Sequence, residues 1–307
     1  MVFSSRFYNH PIQINKVKSF SFEGRECSFD VARFDLIDPL ISGNKLFKLY
    51  YQILNAKKEN KKGILTMGGA YSNHLLATAA LCREQALCSA AIIRGEENKN
   101  LSATLQDCKE KEMNLIFVSR TSYGNNDSTI SEIIKQFPNY LFVPAGGDNE
   151  DGERGSALMP DYIPQWSSYT TIFCAAGTGT TVRGIAQKLL PHQHLWIIPA
   201  LKIQEKDREN YLNNCLPANH EIHKNISIHF DAAGKGFGKK DDDLFKLMNE
   251  FFTQTDIPTD FVYTAKTVKG MLDIIKKQNI QPEQKYLMIH TGGIQGNRSL
   301  QEDTIVF

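Results

Sequence analysis

From Gly63 onward the chain repeats one unit, a short apolar run followed by a stretch with helical spacing. The run at 63–67 leads into a helix from about Ser72, 87–93 into one around 101–112, and 114–118 into one around 128–137, with a further strand at 140–143. A loop rich in glycine and acidic residues, 145–152, marks a domain edge, and the rhythm restarts. Runs at 170–175 and 194–198 flank a helix from about Thr180. A strand at 226–230, helices near 241–253 and 267–278, and a last strand at 285–290 complete the series. Upstream, 25–34 alternates in part and reads as an early strand. Leu46, Leu49, Tyr50, Ile53 and Leu54 form the stripe of an amphipathic helix, with Ser42 as its expected N-cap. Parallel strands need long crossovers, so this alternation predicts βαβ units arranged as two α/β halves.

Length permits that reading, because 307 residues can bury the core of two domains. A net charge of +1 gives no reason to expect nucleic acid or an anionic membrane as partner. No run approaches the roughly 20 apolar residues of a membrane helix. The N-terminus carries no apolar signal core or cleavage pattern. Among the six cysteines no Cys-x-x-Cys pair occurs, which argues against a zinc knuckle or disulfide framework. A reducing cytoplasm is the expected compartment.

Three stretches carry chemistry. Lys45 lies in the first helical turn just beyond Gly43-Asn44. The positive end of the helix dipole and the nearby Lys48 both disfavour a second cation there. A lysine pushed toward its neutral form is a competent amine nucleophile, although most helical lysines are simply solvated. Gly68-Gly-Ala-Tyr-Ser-Asn-His74 follows a strand. Its glycines permit a tight turn, and Ser72 and Asn73 then open a helix whose N–H groups suit a carboxylate. The plainer reading, an ordinary helix cap, carries equal weight on this evidence.

The third stretch is Gly177-Thr-Gly-Thr-Thr181. Gly184 comes too late for a Gly-x-Gly-x-x-Gly dinucleotide fingerprint, and no Gly-Lys-Ser/Thr follows. A compact nest of N–H groups and hydroxyls still suits a single phosphate, against the plainer reading of a glycine-rich turn. Gly234-Lys-Gly-Phe-Gly238 reads as a flexible segment on the substrate side. The histidine pairs His192/His194 and His220/His223 lack companions at ligand spacing, so no metal is expected. No Gly-x-Ser-x-Gly elbow marks a hydrolase. One amine, one polar cluster and one phosphate cradle are the parts a pyridoxal-phosphate enzyme needs.

Taken in order, these stretches resemble the family of 1-aminocyclopropane-1-carboxylate deaminases and D-cysteine desulfhydrases, pyridoxal-phosphate enzymes of the tryptophan-synthase-β-like fold (fold type II). The resemblance covers almost the whole chain. It rests on Gly43-Asn-Lys-x-x-Lys-Leu49, Gly68-Gly-x-x-Ser-Asn73, Gly177-Thr-Gly-Thr180, Tyr263-Thr-x-Lys266 and His290-Thr-Gly-Gly293. It implies two open-sheet, three-layer α/β/α domains, a large cofactor-binding one of residues 1–55 plus 146–307 and a small one of 56–145. It implies pyridoxal 5'-phosphate held by Lys45, Lys48, Asn73, Gly177, Thr178, Gly179, Thr180, Thr264 and Thr291. Lys45, Ser72 and Tyr263 are the implied catalytic residues, and Tyr71, Ser72, Asn73, His74 and Phe237 are expected to face the substrate.

Within the family, deaminases have a glutamate after the site tyrosine and an aliphatic residue before the last Gly-Gly. Here those positions are Thr264 and Thr291, which resemble the desulfhydrases. A hydroxyl supports the cofactor's ring nitrogen less than a carboxylate does, which is sufficient when thiolate leaves from Cβ. Two positions depart from the family pattern, Phe237 for a second tyrosine and Tyr71 for a glutamine. The expected activity is a carbon–sulfur lyase of amino-acid metabolism that converts D-cysteine to pyruvate, sulfide and ammonia. Its alternatives are cyclopropane deamination and a cofactor-binding protein without turnover. A nucleotide-binding oxidoreductase is disfavoured by the broken glycine spacing. The family resemblance also implies a homodimer.

Overall fold

The computed structural model describes residues 11–41, 43–123, 128–218, 224–277 and 284–307. In chain order the first half runs β1 (Ile14–Phe22), β2 (Arg25–Arg33), α1 (Asn44–Lys58), β3 (Gly63–Gly69), α2 (Asn73–Glu84), β4 (Cys88–Arg94), α3 (Ala103–Glu110), β5 (Asn114–Val118), α4 (Ser128–Gln136) and β6 (Tyr140–Phe142). The second half runs α5 (Glu150–Ser156), β7 (Thr171–Ala176), α6 (Thr180–Ala186), β8 (His194–Pro199), α7 (Arg208–Cys215), β9 (Ile226–Ile228), α8 (Asp242–Thr255), α9 (Thr264–Lys277) and β10 (Tyr286–His290).

Two sheets result. The larger has the order β1-β2-β10-β7-β8-β9, and the smaller β5-β4-β3-β6. Among the described residues only the β1–β2 hairpin is an antiparallel ladder; the other ladders of both sheets are parallel. All residues of β7 and β10 are buried, as are six of the seven in β3. That is why these strands read as unbroken apolar runs: helices cover both faces of a parallel sheet.

Aromatic side chains anchor the core on both faces of the larger sheet. On one, Phe47 of α1 meets Phe34 and Tyr162 edge to face, both at 5.4 Å. On the other, Phe20 packs on Phe251 of α8 at 5.2 Å. Burial of each phenylalanine contributes about 1.5–3 kcal/mol, and Phe47 is the one through which α1 joins this packing.

Several expectations need correction. β1, α5 and α7 were not foreseen, and the stretch 145–152 is more than a loop. Asn149 caps α5 by accepting from the Gly152 N–H at 2.9 Å, and Glu150, Asp151 and Glu153 stand in its first turn, where acid favours a helix. Gly43 caps α1, and Ser42 lies outside the described residues. α9 starts at Thr264 rather than 267, for a reason that appears in the site. No described helix is long and apolar enough to cross a membrane.

Candidate active site

The first turn of α1 is held by backbone from two strand ends. The Gly43 N–H donates to the Phe34 carbonyl at 3.1 Å, and the Asn44 N–H to the Thr291 carbonyl at 3.2 Å. Asn44 then spans the site: its amide donates to Thr181 Oγ1 at 2.8 Å, and its Oδ1 accepts from Lys45 Nζ at 2.7 Å. Lys45 is half-buried, and its amine sits 6.0 Å from the centre of the Tyr263 ring. Burial pulls this amine down to about 8, while Asp260 and Cys174 oppose the shift. Burial, not the dipole or Lys48, is therefore what brings its neutral form within reach of neutral pH. The stronger depression falls on Lys48, driven by burial and then by Lys45. Lys48 Nζ donates to the Gly146 carbonyl at 2.6 Å.

The turn after β3 presents Tyr71, Ser72, Asn73 and His74. Ser72 occupies the N-cap of α2, yet its hydroxyl makes no capping bond. The ordinary-cap reading thus fails for this serine. Asn73 Oδ1 and His74 Nδ1 are buried without a partner among the described residues. A methyl placed on Gly293 would lie 2.8 Å from Asn73 Nδ2 and 3.3 Å from Asp260 Oδ1, so three separate segments converge here. Thr66 Oγ1 donates to the Val143 carbonyl at 2.8 Å and lies 2.9 Å from His74 Nε2. The hydroxyl's one proton is committed, so Nε2 carries the imidazole proton and Nδ1 is a bare acceptor. Burial, then Lys45 and Lys48, hold His74 well below the usual imidazole range, which keeps it neutral.

Gly177 to Thr180 link β7 to α6. Tyr211 of α7, unforeseen in sequence, supports this loop by donating to the carbonyls of Ala176 and Gly177 at 3.0 and 3.1 Å. Thr180 is buried, and its hydroxyl donates to Asp148 Oδ1 at 2.5 Å. Thr178 Oγ1 lies 2.9 Å from Thr180 Oγ1 and must be the donor of that pair. Arg183 binds Asp148 and Glu153, both at 2.8 Å. Hence the loop's hydroxyls are spent inside the protein. Its N–H groups from Gly177 to Thr180 make no bond among the described residues, so an anion is left to the backbone.

Tyr263 and Thr264 part company. Tyr263 borders both Lys45 and Gly177, and burial followed by the Asp260 charge raises its phenol, so it keeps its proton. Thr264 was expected to serve a ring nitrogen. Instead its hydroxyl donates to Asp260 Oδ1 at 2.7 Å and accepts from the Asp260 N–H at 2.7 Å. Asp260 also accepts from the N–H groups of Val262, Tyr263 and Thr264, each at 2.9 Å. These bonds start α9 three residues early. An acid four positions before a helical threonine is a cap signal that sequence reading passed over.

Thr291 contributes its backbone carbonyl to Asn44. Phe237 is 52% exposed and meets Tyr263 edge to face at 5.8 Å. Tyr71, 55% exposed, stands at the turn beside Ser72. His192 and His194 are bound to Ser167 and Ser227, and no metal-binding group of side chains occurs among the described residues. His220 and His223 lie outside those residues.

A family model described as pyridoxal-phosphate dependent enzyme matches residues 33–292. The chain is similar to a mitochondrial bifunctional D-cysteine desulfhydrase/1-aminocyclopropane-1-carboxylate deaminase of Arabidopsis thaliana, 25% identical across 87% of this chain and 72% of that protein. It is similar to a D-cysteine desulfhydrase of Salmonella paratyphi A, 24% identical across 89% of this chain and 88% of that one. A crystal structure described as an ACC deaminase homologue shares the fold, with a TM-score of 0.75 at 22% identity over 95% of both chains.

Proposed function

Because this chain belongs to the pyridoxal-phosphate-dependent enzyme family, we propose that it is a lyase acting on D-cysteine, with Lys45 as the residue that holds the cofactor. The observation that carries the reading is the Lys45 amine, pulled down to about 8 by burial and set over Tyr263. The residues present fit the cofactor. N–H groups of Gly177 to Thr180, unbonded among the described residues, suit its phosphate, and the buried Lys48 amine is a further candidate donor. Asn73, whose Oδ1 has no partner among the described residues, has an amide left to face the cofactor ring, with Nδ2 as donor to its oxygen.

When bound, the cofactor would supply an electron sink for the pair left at Cα. Lys45, whose amine would hold the cofactor, is the base placed to remove the Cα proton at Nζ. Ser72 has an uncommitted hydroxyl with which to bind the substrate carboxylate. Tyr263, held protonated, borders the same space and can donate. Thiolate leaves from Cβ, and water completes the conversion to pyruvate, hydrogen sulfide and ammonia.

The substrate choice no longer rests on Thr264 reaching the ring. It rests on charge: Thr264 brings none, and four donors occupy the Asp260 carboxylate, which has about four lone-pair sites in all. With the Asp260 carboxylate so occupied and no charge at Thr264, a good leaving group is favoured over opening a cyclopropane. The division into 1–55 plus 146–307 and 56–145, a homodimer and a cytoplasmic location belong to this reading.

The test is a panel of D- and L-cysteine, β-chloro-D-alanine and 1-aminocyclopropane-1-carboxylate, with sulfide, pyruvate and 2-oxobutyrate measured. D-cysteine and β-chloro-D-alanine should turn over fastest, and Lys45→Ala should abolish turnover and cofactor absorbance. Borohydride reduction and peptide mapping should label Lys45; a label on Lys48 would overturn the assignment. Efficient opening of the cyclopropane with D-cysteine ignored would refute the substrate.

A further inference from the structure

Lys266 lies on α9 one turn from Tyr263 and is only 2% exposed. Its Nζ donates to two carbonyls at 2.7 Å each, those of Ala200 just past β8 and of Gly236 in the glycine loop. Two chain segments far apart in sequence are thereby tied to one ammonium. Burial lowers this amine to about 8, and Asp260 and Asp241 oppose the shift. A buried cation is costly, and these charge-assisted bonds are what offset it.

Apart from local turn bonds, such as that from the Gly236 N–H to the Ala233 carbonyl at 3.0 Å, the Gly234–Gly238 loop has little else to hold it. A cavity of about 270 Å³ lies against it, lined by Gly234, Gly236, Lys266, Leu244 and Leu272. Its other charged link, Lys235 to Asp241 at 3.6 Å, has a mostly exposed lysine, and such pairs contribute little. Yet the loop carries Phe237, whose ring packs on Tyr263, and Tyr263 lies beneath Lys45. The line from Lys266 to the amine runs through Gly236, Phe237 and Tyr263.

We propose that Lys266 is a positioning residue that clamps the Gly234–Gly238 loop to the end of β8, seating Phe237 against Tyr263 as one wall of the substrate site. The wall rests on the reading of that site as a D-cysteine lyase; the clamp does not. Lys266→Met keeps the aliphatic stem and removes the donors.

Tryptic cleavage of the folded holoenzyme at Lys235, Lys239 or Lys240 should accelerate by roughly tenfold or more, the loss of a charge-assisted bond. The KM for D-cysteine should rise by about tenfold with kcat within about twofold and cofactor absorbance retained, the signature of lost substrate positioning. Lys266→Gln, which keeps amide donors, should fall between wild type and Lys266→Met in both measurements and stands in if the methionine variant does not fold. Phe237→Ala, at an exposed position, should raise KM alone. Unchanged cleavage in Lys266→Met overturns the clamp. Faster cleavage with unchanged KM, or an unchanged KM in Phe237→Ala, overturns its link to substrate. A wild-type protein that releases no sulfide from D-cysteine defeats the proposed function instead, and the cleavage rates still decide the clamp.

Discussion

Two glycine-rich loops in this molecule look alike as text, Gly177-Thr-Gly-Thr180 and Gly234-Lys-Gly-Phe-Gly238. In space they are opposites. The first is pressed between neighbours: a Cβ on Gly179 would lie 2.5 Å from the Asn214 carbonyl, and Thr180 is wholly buried. The second borders a cavity, and a Cβ on Gly238 would meet nothing within 4 Å. Both glycines hold positive φ, +91° and +62°. Gly179 answers to close approach as well as to backbone angle, whereas Gly238 answers to angle alone. The first loop is therefore shaped by its surroundings, and the second depends on one buried cation.

The largest effect should come from Gly179→Ala. Its added carbon collides with backbone, which cannot move aside as a side chain can, and it also meets the left-handed penalty. Cofactor affinity, followed by absorbance titration, should drop by about a hundredfold or more, a cost of about 2.7 kcal/mol. Affinity within a few-fold of wild type would show that the first loop is no tighter than the second.

Thr180→Ala should act more mildly. It removes the charge-assisted bond to Asp148 rather than a bond to the cofactor, so affinity should fall by about tenfold with the fold retained. Asp148→Asn also loses the Arg183 pair and should cost more on its own, yet combining it with Thr180→Ala should cost less than the sum of the two, because they share one bond. Additive losses would mean that Thr180 serves the phosphate directly.

Gly238→Ala should be the mildest. Only the backbone angle resists it, at about 1–2 kcal/mol. Cofactor affinity should be unchanged, and Tm should fall by roughly 2–4 °C for each kcal/mol. A loss of cofactor comparable to that in Gly179→Ala would erase the contrast between the loops.

How much of this was legible beforehand follows from the range of each interaction. The alternating apolar runs and helical spacings located most strands of both sheets, because burial on both faces leaves a local pattern. β1 and α7 were missed: the burial pattern of β1 is irregular, and α7 buries only Cys215. Within the site, Lys45, Ser72, Asn73 and Tyr263 were legible as motif residues, and the fold brings them together. Asp260, Tyr211 and Asp148 were not, and Asn44 stood in a motif without a role, since each acts through a bond to a distant segment or through a cap whose chemistry is common at helix starts.

Thr264 marks the boundary most clearly. Its identity, read alone, offered a hydroxyl to the cofactor. The turn that begins α9 took that hydroxyl for Asp260. Sequence by itself determined the parallel α/β architecture, the cofactor family and the candidate amine, since these are written in local periodicity and in short motifs. Only the tertiary structure decided which polar groups remain free to meet a ligand. A buried donor or acceptor is committed by whatever partner lies within about 3 Å, and that partner is set by folding rather than by position along the chain.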